Sequence, residues 1–359
     1  MVQQVAHEFA KKEVRPVAAY YDEHEEVPYD IIKKAAGLGF GVSKAGSVLN
    51  GSSSSLIPCI LSEELSWGCA GIALAINSSG LAGAATAAYP IKVTDQLGRS
   101  VEIKAKPKVI VAVSPTAVEM VYAAGATVAG RSASVDFPEA AKSAKEVGTA
   151  YQPNFEEILA LKPDLVVADA IIHAQPTLRK PFEDLPVPVI FTGADSVQKV
   201  IDGLNLMGQV FDSKATTDKV IANINTAKEG AKKALAGKSI SAIALIADRD
   251  QTLYAAKPSS YAGDVLAQLG LTNPAASQPD SGPFPGYTTL APEKMVQYDP
   301  DYLFAITPAP EPAPRLASLI PQIPPFKGLK AVTNKHVVDA NVELFLQAPG
   351  PRVADAFKA

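Results

Sequence analysis

Along the first 88 residues the apolar positions recur only at helical intervals, whereas beyond about residue 108 they switch repeatedly between strand and helix spacing. Val5, Phe9, Val14, Val17 and Ala18 outline a first helical stretch interrupted by Pro16. Tyr29 to Leu38 predicts a short helix stopped at Gly37 and Gly39, and Ile60 to Ile76 predicts another beyond the Gly/Ser-rich loop at 46–55. The result is a small helical unit without strands. Residues 80–88 (GLAGAATAA) are small and featureless, and the period changes from Ile91 onward, so the main boundary falls there.

After Lys108 strands and helices alternate: VIVAV at 109–113, a helix through Ala117 to Ala124, EEILALK at 156–162, DLVVAD at 164–169 and VPVIF at 187–191. Such alternation predicts a parallel α/β sheet. From Val197 to Leu235 the apolar residues keep helical spacing over about forty residues, a span of about 60 Å at ~1.5 Å per residue if continuous, enough to brace two lobes. A second α/β run follows, with ISAIALIAD at 240–248, a helix through Ser260 to Leu269 and DYLFAIT at 301–307. The proline-rich stretch from Thr307 to Pro325 predicts an extended connection, and the last helix is expected after Pro351. The expected organisation is a helical segment at 1–88, an N-terminal α/β lobe at 89–195, a linking helix at 196–236 and a C-terminal α/β lobe at 237–359.

Composition narrows the chemistry. With 359 residues, a net charge of -4 and no dense Lys/Arg run, the chain has no electrostatic footprint for nucleic acid, which is not expected as a partner. Cys59 and Cys69 do not form a metal-ligand spacing, and His7, His24, His173 and His336 are scattered, so no bare-metal cage and no resident cofactor are expected. No apolar run is long enough for a membrane span, and the polar, acidic start does not read as a secretory signal. GxSxG, Walker A and HExxH patterns are missing, and the Glu63-Glu64 pair reads as a solvated helix face, so an enzyme is not expected.

The most informative pattern is a repeat. Glu156 to Val167 (EEILALKPDLVV) and Glu293 to Phe304 (EKMVQYDPDYLF) each read as a short helix, a Pro-Asp turn and a buried strand, with Glu156 and Glu293 at equivalent helix starts. Each glutamate either complements a helix N-terminus, worth about 0.3–1 kcal/mol, or presents one carboxylate per lobe to a two-fold-symmetric partner.

On these residues, together with VTDQLGRSVEIKAKPKVIVAVSPTAVEMVYAAGATVAG near the start and SYAGDVLAQLGLTNPA in the second lobe, residues 90–359 resemble the class III substrate-binding proteins of ABC importers. The resemblance implies two Rossmann-like α/β lobes joined by a long helix and closing on a ferric siderophore, cobalamin or haem. It also implies an extracytoplasmic, periplasmic location and docking of one glutamate per lobe, here Glu156 and Glu293, on the importer permease. Arg131, Arg249 and Arg352 lie in loops expected to face the cleft, where they would meet an anionic iron chelate, or else stay solvated. Tyr254, Phe284 and Tyr287 are candidates for flat ligand contacts or for core packing. Tyr151 and His173 are candidate axial ligands for haem, the His competing with a core role. The lack of tryptophan beyond Trp67 weighs against cobalamin and favours an iron-siderophore complex.

Residues 1–85 resemble a different family, the N-terminal helical domain of acyl-CoA dehydrogenases, through EFAKKEVRPVAAYYDEHEEVPYDIIKKAAGLGFG and LSEELSWGCAGIALAINSSG. A flavin-dependent acyl-CoA enzyme is therefore the alternative function. The flavin-contacting and base-bearing domains of that family do not follow, so the segment reads as a fused or remnant module.

Overall fold

The structure, a computed structural model, describes residues 2–24, 28–38, 56–73, 76, 89–248, 252–309 and 312–358. The chain divides into two compact units, Met1–Ala88 and Tyr89–Ala359.

In the first unit, α1 (Val2–Phe9) runs through a wide turn at Ala10–Val14 and a tight one at Arg15–Val17 into α2 (Ala18–His24). Pro16 falls in the tight turn, where its missing N–H is tolerated. Helices α3 (Tyr29–Gly37) and α4 (Leu56–Gly68) follow, with further helical residues at 70–73, and Ala6, Phe9, Val14, Ile31, Ala35, Leu65 and Ile72 lie in the core. Glu64 is not a solvated carboxylate: it accepts from Gln3 Nε2 at 2.8 Å and contacts His7 Nδ1 at 2.7 Å, which ties α1 to α4.

The second unit opens with an antiparallel pair, β1 (Ile91–Thr94) and β2 (Ser100–Ile103). The N-terminal lobe is a parallel sheet in the order β5-β4-β3-β6-β7, from β3 (Ile110–Ala112), β4 (Gly130–Arg131), β5 (Lys145–Glu146), β6 (Leu165–Asp169) and β7 (Val189–Thr192). Every residue of β6 and β7 is buried, which is why these strands read as continuous apolar runs. Helices α5 (Pro115–Ala123), α6 (Phe155–Ala160), α7 (Pro176–Glu183) and α8 (Val197–Val210) accompany this sheet, and α9 (Lys214–Leu235) leads to the second lobe. There β8 (Ala242–Ala247), β9 (Leu253–Ala256), β10 (Tyr287–Thr289), β11 (Tyr302–Ile306) and β12 (Val337–Ala340) pair in the order β10-β9-β8-β11-β12. Strands β8, β11 and β12 are parallel, whereas β9 and β10 run against their neighbours. Its helices are α10 (Tyr261–Gln268), α11 (Pro292–Tyr298) and three single turns, α12 (Leu316–Leu319), α13 (Lys330–Thr333) and α14 (Val353–Ala356).

The continuous helix expected over 196–236 is corrected to two helices. The α8 helix ends at Val210 with Phe211 as its cap, Asp212 takes a left-handed φ of 48°, and α9 starts at Lys214 and packs back on α8. Periodicity could not show the break, because both helices keep the apolar spacing. Gly208 makes the approach possible: a Cβ there would stand 2.5 Å from Thr217 Oγ1.

The repeated segment has a structural backbone in both lobes. Lys162 and Asp299 close the two helices in left-handed conformation, with φ of 50° and 39°. Asp164 accepts from the Lys108 and Val109 amides, and Asp301 accepts from the Ser241 amide and hydroxyl, so each Pro-Asp turn pins the start of the neighbouring central strand. These bonds hold the Asp301 carboxyl below the usual range. The lobes share one hydrophobic core, in which Val118, Leu204 and Ile224 are continuous with Ile246, Val265 and Phe357.

Candidate functional site: the cleft between the lobes

The N-terminal lobe builds its side of the cleft from the loops that follow β6 and β7, at the carboxyl edge of the sheet. Asp169, the last residue of β6, accepts from the amides of Ile171 and Ile172 at 2.8 and 3.0 Å and so turns the following loop. Gln96 accepts from Thr192 Oγ1 and the Gly193 amide, both at 2.8 Å, and donates to the Lys199 carbonyl. Two stiffened loops thus present Ala170, Ile171 and Gly193 to a cleft of about 500 Å³. The C-terminal lobe faces them with Ser260, Tyr261, Tyr287 and Phe345, while Asp195 and Lys199 are the charged residues of the lining. That volume lies within the ~300–1,000 Å³ of small-molecule sites.

Tyr287 is the one aromatic of the predicted set that lines the cleft. Burial pushes its phenol up to about 12, so it stays a neutral donor. Behind it, Phe284 lies 6.2 Å from the Tyr287 ring and Tyr254 lies 5.3 Å from Phe284, both edge-on, making a stack that supports Tyr287. Tyr254 and Phe284 are therefore backing residues. Tyr151 is 67% exposed on a loop of the N-terminal lobe and does not line the cleft.

His173 is corrected from candidate axial ligand to core residue. Its Nδ1 accepts from the Asp169 amide at 2.9 Å, which leaves Nε2 protonated and donating to the Ala150 carbonyl at 2.7 Å. Both nitrogens are committed, the ring packs on Phe182, and burial holds its pKa below the ordinary value. Arg131 is likewise turned inward: its guanidinium meets Glu146 at 3.0 Å and donates to the Ser132 carbonyl at 3.1 Å. Arg249 lies outside the described residues.

Arg352 does not line the cleft either; it joins the lobes. Its Nε and Nη2 donate to Glu119 Oε1 on α5 at 2.9 and 2.6 Å, and its Nη1 to Glu343 at 3.0 Å. The guanidinium also lies over the Phe137 ring, 4.4 Å from its centroid. Glu119 is almost fully buried, and burial raises its carboxyl to about 7 although Arg352 opposes the shift. A second interlobe bond runs from the Val197 amide to Asp264 at 2.7 Å. Sequence reasoning missed Glu119, Gln96 and Tyr261, whose partners are remote along the chain and leave no spacing signal.

Glu156 and Glu293 lie exposed in the first turns of α6 and α11, and neither forms an ion pair among the described residues. The first helix is capped by Asn154, which accepts from the Glu157 amide at 3.1 Å, so Glu156 is not needed as its cap. Among the described residues no three His, Cys, Asp or Glu side chains converge as metal ligands, and no helix is long and apolar enough to cross a membrane.

Comparison with known proteins agrees with this architecture. A profile of periplasmic binding proteins matches residues 110–343, and a profile of the acyl-CoA dehydrogenase N-terminal domain matches residues 1–90. An uncharacterized ABC transporter substrate-binding lipoprotein of Bacillus subtilis, YvrC, is 24% identical over 280 residues, which cover 75% of this chain and 84% of the relative. The vitamin B12-binding protein of Salmonella choleraesuis is 36% identical over 100 residues, 28% of this chain and 37% of that protein. Among solved structures, the periplasmic catecholate-siderophore binding protein VctP from Vibrio cholerae superposes with a TM-score of 0.62 at 18% identity, over 74% of this chain and 96% of that one. The acyl-CoA dehydrogenase alternative falls, because its likeness stops at residue 90 and the rest of the chain follows another family. With its profile match spanning well over half its length and two α/β lobes around a cleft, this chain belongs to the periplasmic binding protein family, as a class III substrate-binding protein of ABC importers.

Proposed function

We propose that the Tyr89–Ala359 unit captures a metal chelate of the iron-siderophore class between its lobes, outside the cytoplasmic membrane, and delivers it to an importer permease that grips Glu156 and Glu293. The observation that carries this reading is the cleft itself, lined from both lobes and backed by the Tyr254–Phe284–Tyr287 stack. A largely apolar wall with a few polar tips suits a flat, partly aromatic chelate. The protein does no chemistry on its cargo in this reading. Release follows from the permease.

A second reading, a cobalamin-type corrinoid, is favoured by charge. Arg131 and Arg352 are neutralised by Glu146 and Glu119, which suits a ligand of low net charge. With His173 committed, haem keeps only Tyr151 from the residues expected to serve it.

Calorimetric titration with ferric siderophores of differing charge, cyanocobalamin and haemin tests the reading. Saturable binding of one ferric siderophore is the expected result; binding of cyanocobalamin alone selects the second reading, and no binding by any of them overturns both. In proteoliposomes, Glu156→Ala with Glu293→Ala is expected to reduce uptake roughly tenfold or more, as loss of two charge-assisted contacts implies, while chelate affinity stays unchanged. Undiminished uptake would remove the docking assignment.

A further inference from the structure

Each exposed glutamate has an exposed aliphatic neighbour. On α6, Leu159 follows Glu156 by three residues and is 40% exposed; on α11, Val296 follows Glu293 by three and is 46% exposed. Three residues along a helix places both side chains on one face. Of the two residues between them in each helix, the second points the other way: Ile158 and Met295 are fully buried. The repeat therefore carries the same inward anchor and the same outward pair in both lobes.

The inward part of the repeat explains itself. Ile158 and Met295 fill two cores, and Asp164 and Asp301 pin two strands, so duplicated packing would preserve them. Nothing in that packing requires Leu159 or Val296. A single exposed aliphatic side chain is ordinary on any surface. Two of them at the same repeat position, each beside a carboxylate without an ion pair, call for a partner that meets both.

We infer that Leu159 and Val296 are the apolar half of the permease contact, so that each lobe offers one carboxylate and one aliphatic knob to the same patch on the importer, presented twice. The inference rests on the docking role proposed for Glu156 and Glu293. A partner showing one surface twice is a dimer, and a patch that fits has a cationic side chain next to an apolar one. The two components do different work. Charge governs encounter and salt dependence, whereas the desolvated aliphatic contact slows dissociation and is insensitive to salt.

The experiment separates them. The full chain, saturated with the ferric siderophore that the calorimetric titration selects, is bound to its importer in nanodiscs and the Kd is measured from about 50 to about 300 mM NaCl. Three forms are compared: wild type, Leu159→Gln with Val296→Gln, and Glu156→Ala with Glu293→Ala. Glutamine keeps helix propensity, and unchanged chelate affinity and melting temperature certify folding. The aliphatic pair is expected to weaken binding roughly five- to thirtyfold, as removal of about 1–2 kcal/mol of apolar burial implies, with the salt slope kept. The glutamate pair is expected to weaken binding and flatten that slope. Wild-type binding by the glutamine form, with loss only in the alanine form, overturns this inference and leaves the docking reading intact. Wild-type behaviour by both forms overturns the two together.

Discussion

Glu119 shows how one residue can be set by its surroundings more than by its type. It sits on α5 in a nearly dry place, with Oε1 held by Arg352, Oε2 without a hydrogen-bond partner among the described residues, and Glu343 and Asp355 adding negative charge nearby. Burial outweighs the guanidinium, so the folded-state carboxyl titrates near 7 instead of 4.5. A raised carboxyl means that the folded state holds its proton longer than the unfolded chain. The stability this group contributes is thus full below about pH 4.5 and declines as pH rises to about 7, by at most ~1.4 kcal/mol for each pH step of one between those values. Glu119→Gln removes the titrating group. Urea unfolding is expected to show wild type losing stability relative to this variant between pH 4.5 and 7 and a constant difference above pH 7; a difference independent of pH would contradict the raised carboxyl.

Among the elements, the α8–α9 hairpin decides where the linking helix points. Gly208 on α8 leaves room for the buried Thr217 of α9, and Asp212 supplies the left-handed turn between the helices. Gly208→Ala would push a methyl to 2.5 Å from Thr217 Oγ1, which the packed pair can relieve only by separating. Overpacking of this kind costs about 1–3 kcal/mol, so the urea midpoint of the variant is expected to fall. Apolar spacing from Val197 to Leu235 identified helix correctly at nearly every position, but a three-residue reversal costs the pattern no period and is invisible to it.

For the molecule as a whole, two lobes that share a core and a strut move little. The continuous cluster from Val118 to Phe357, the 22-residue α9, the Arg352–Glu119 ion pair and the Val197–Asp264 bond all cross between the lobes. Opening widely would strip buried apolar surface from water-free contact and leave Glu119 without its cation. Spin labels at exposed Lys180 and Lys327, one per lobe, with Cys59 and Cys69 replaced by Ser, are expected to shift by less than about 5 Å on saturation with a bound ferric siderophore, in keeping with small shear displacements of packed elements. Arg352→Ala should broaden the distance distribution of the free protein. A shift of hinge-type size, tens of ångströms, would contradict a braced pair.

The order of residues along the chain was enough to establish the α/β architecture, the repeat with Glu156 and Glu293, and the likeness of each end of the chain to its own family, because these live in local periodicity and contiguous motifs. Which polar residues are free was settled by three-dimensional packing alone. Arg131, His173 and Arg352 carry the same side chains whether they meet a ligand or a buried partner, and their partners Glu146, Ala150 and Glu119 lie 15, 23 and 233 positions away. Charge neutralisation is a property of distance in space, not of order along the chain. That is why the repeated glutamates were legible and the walls of the cleft were not.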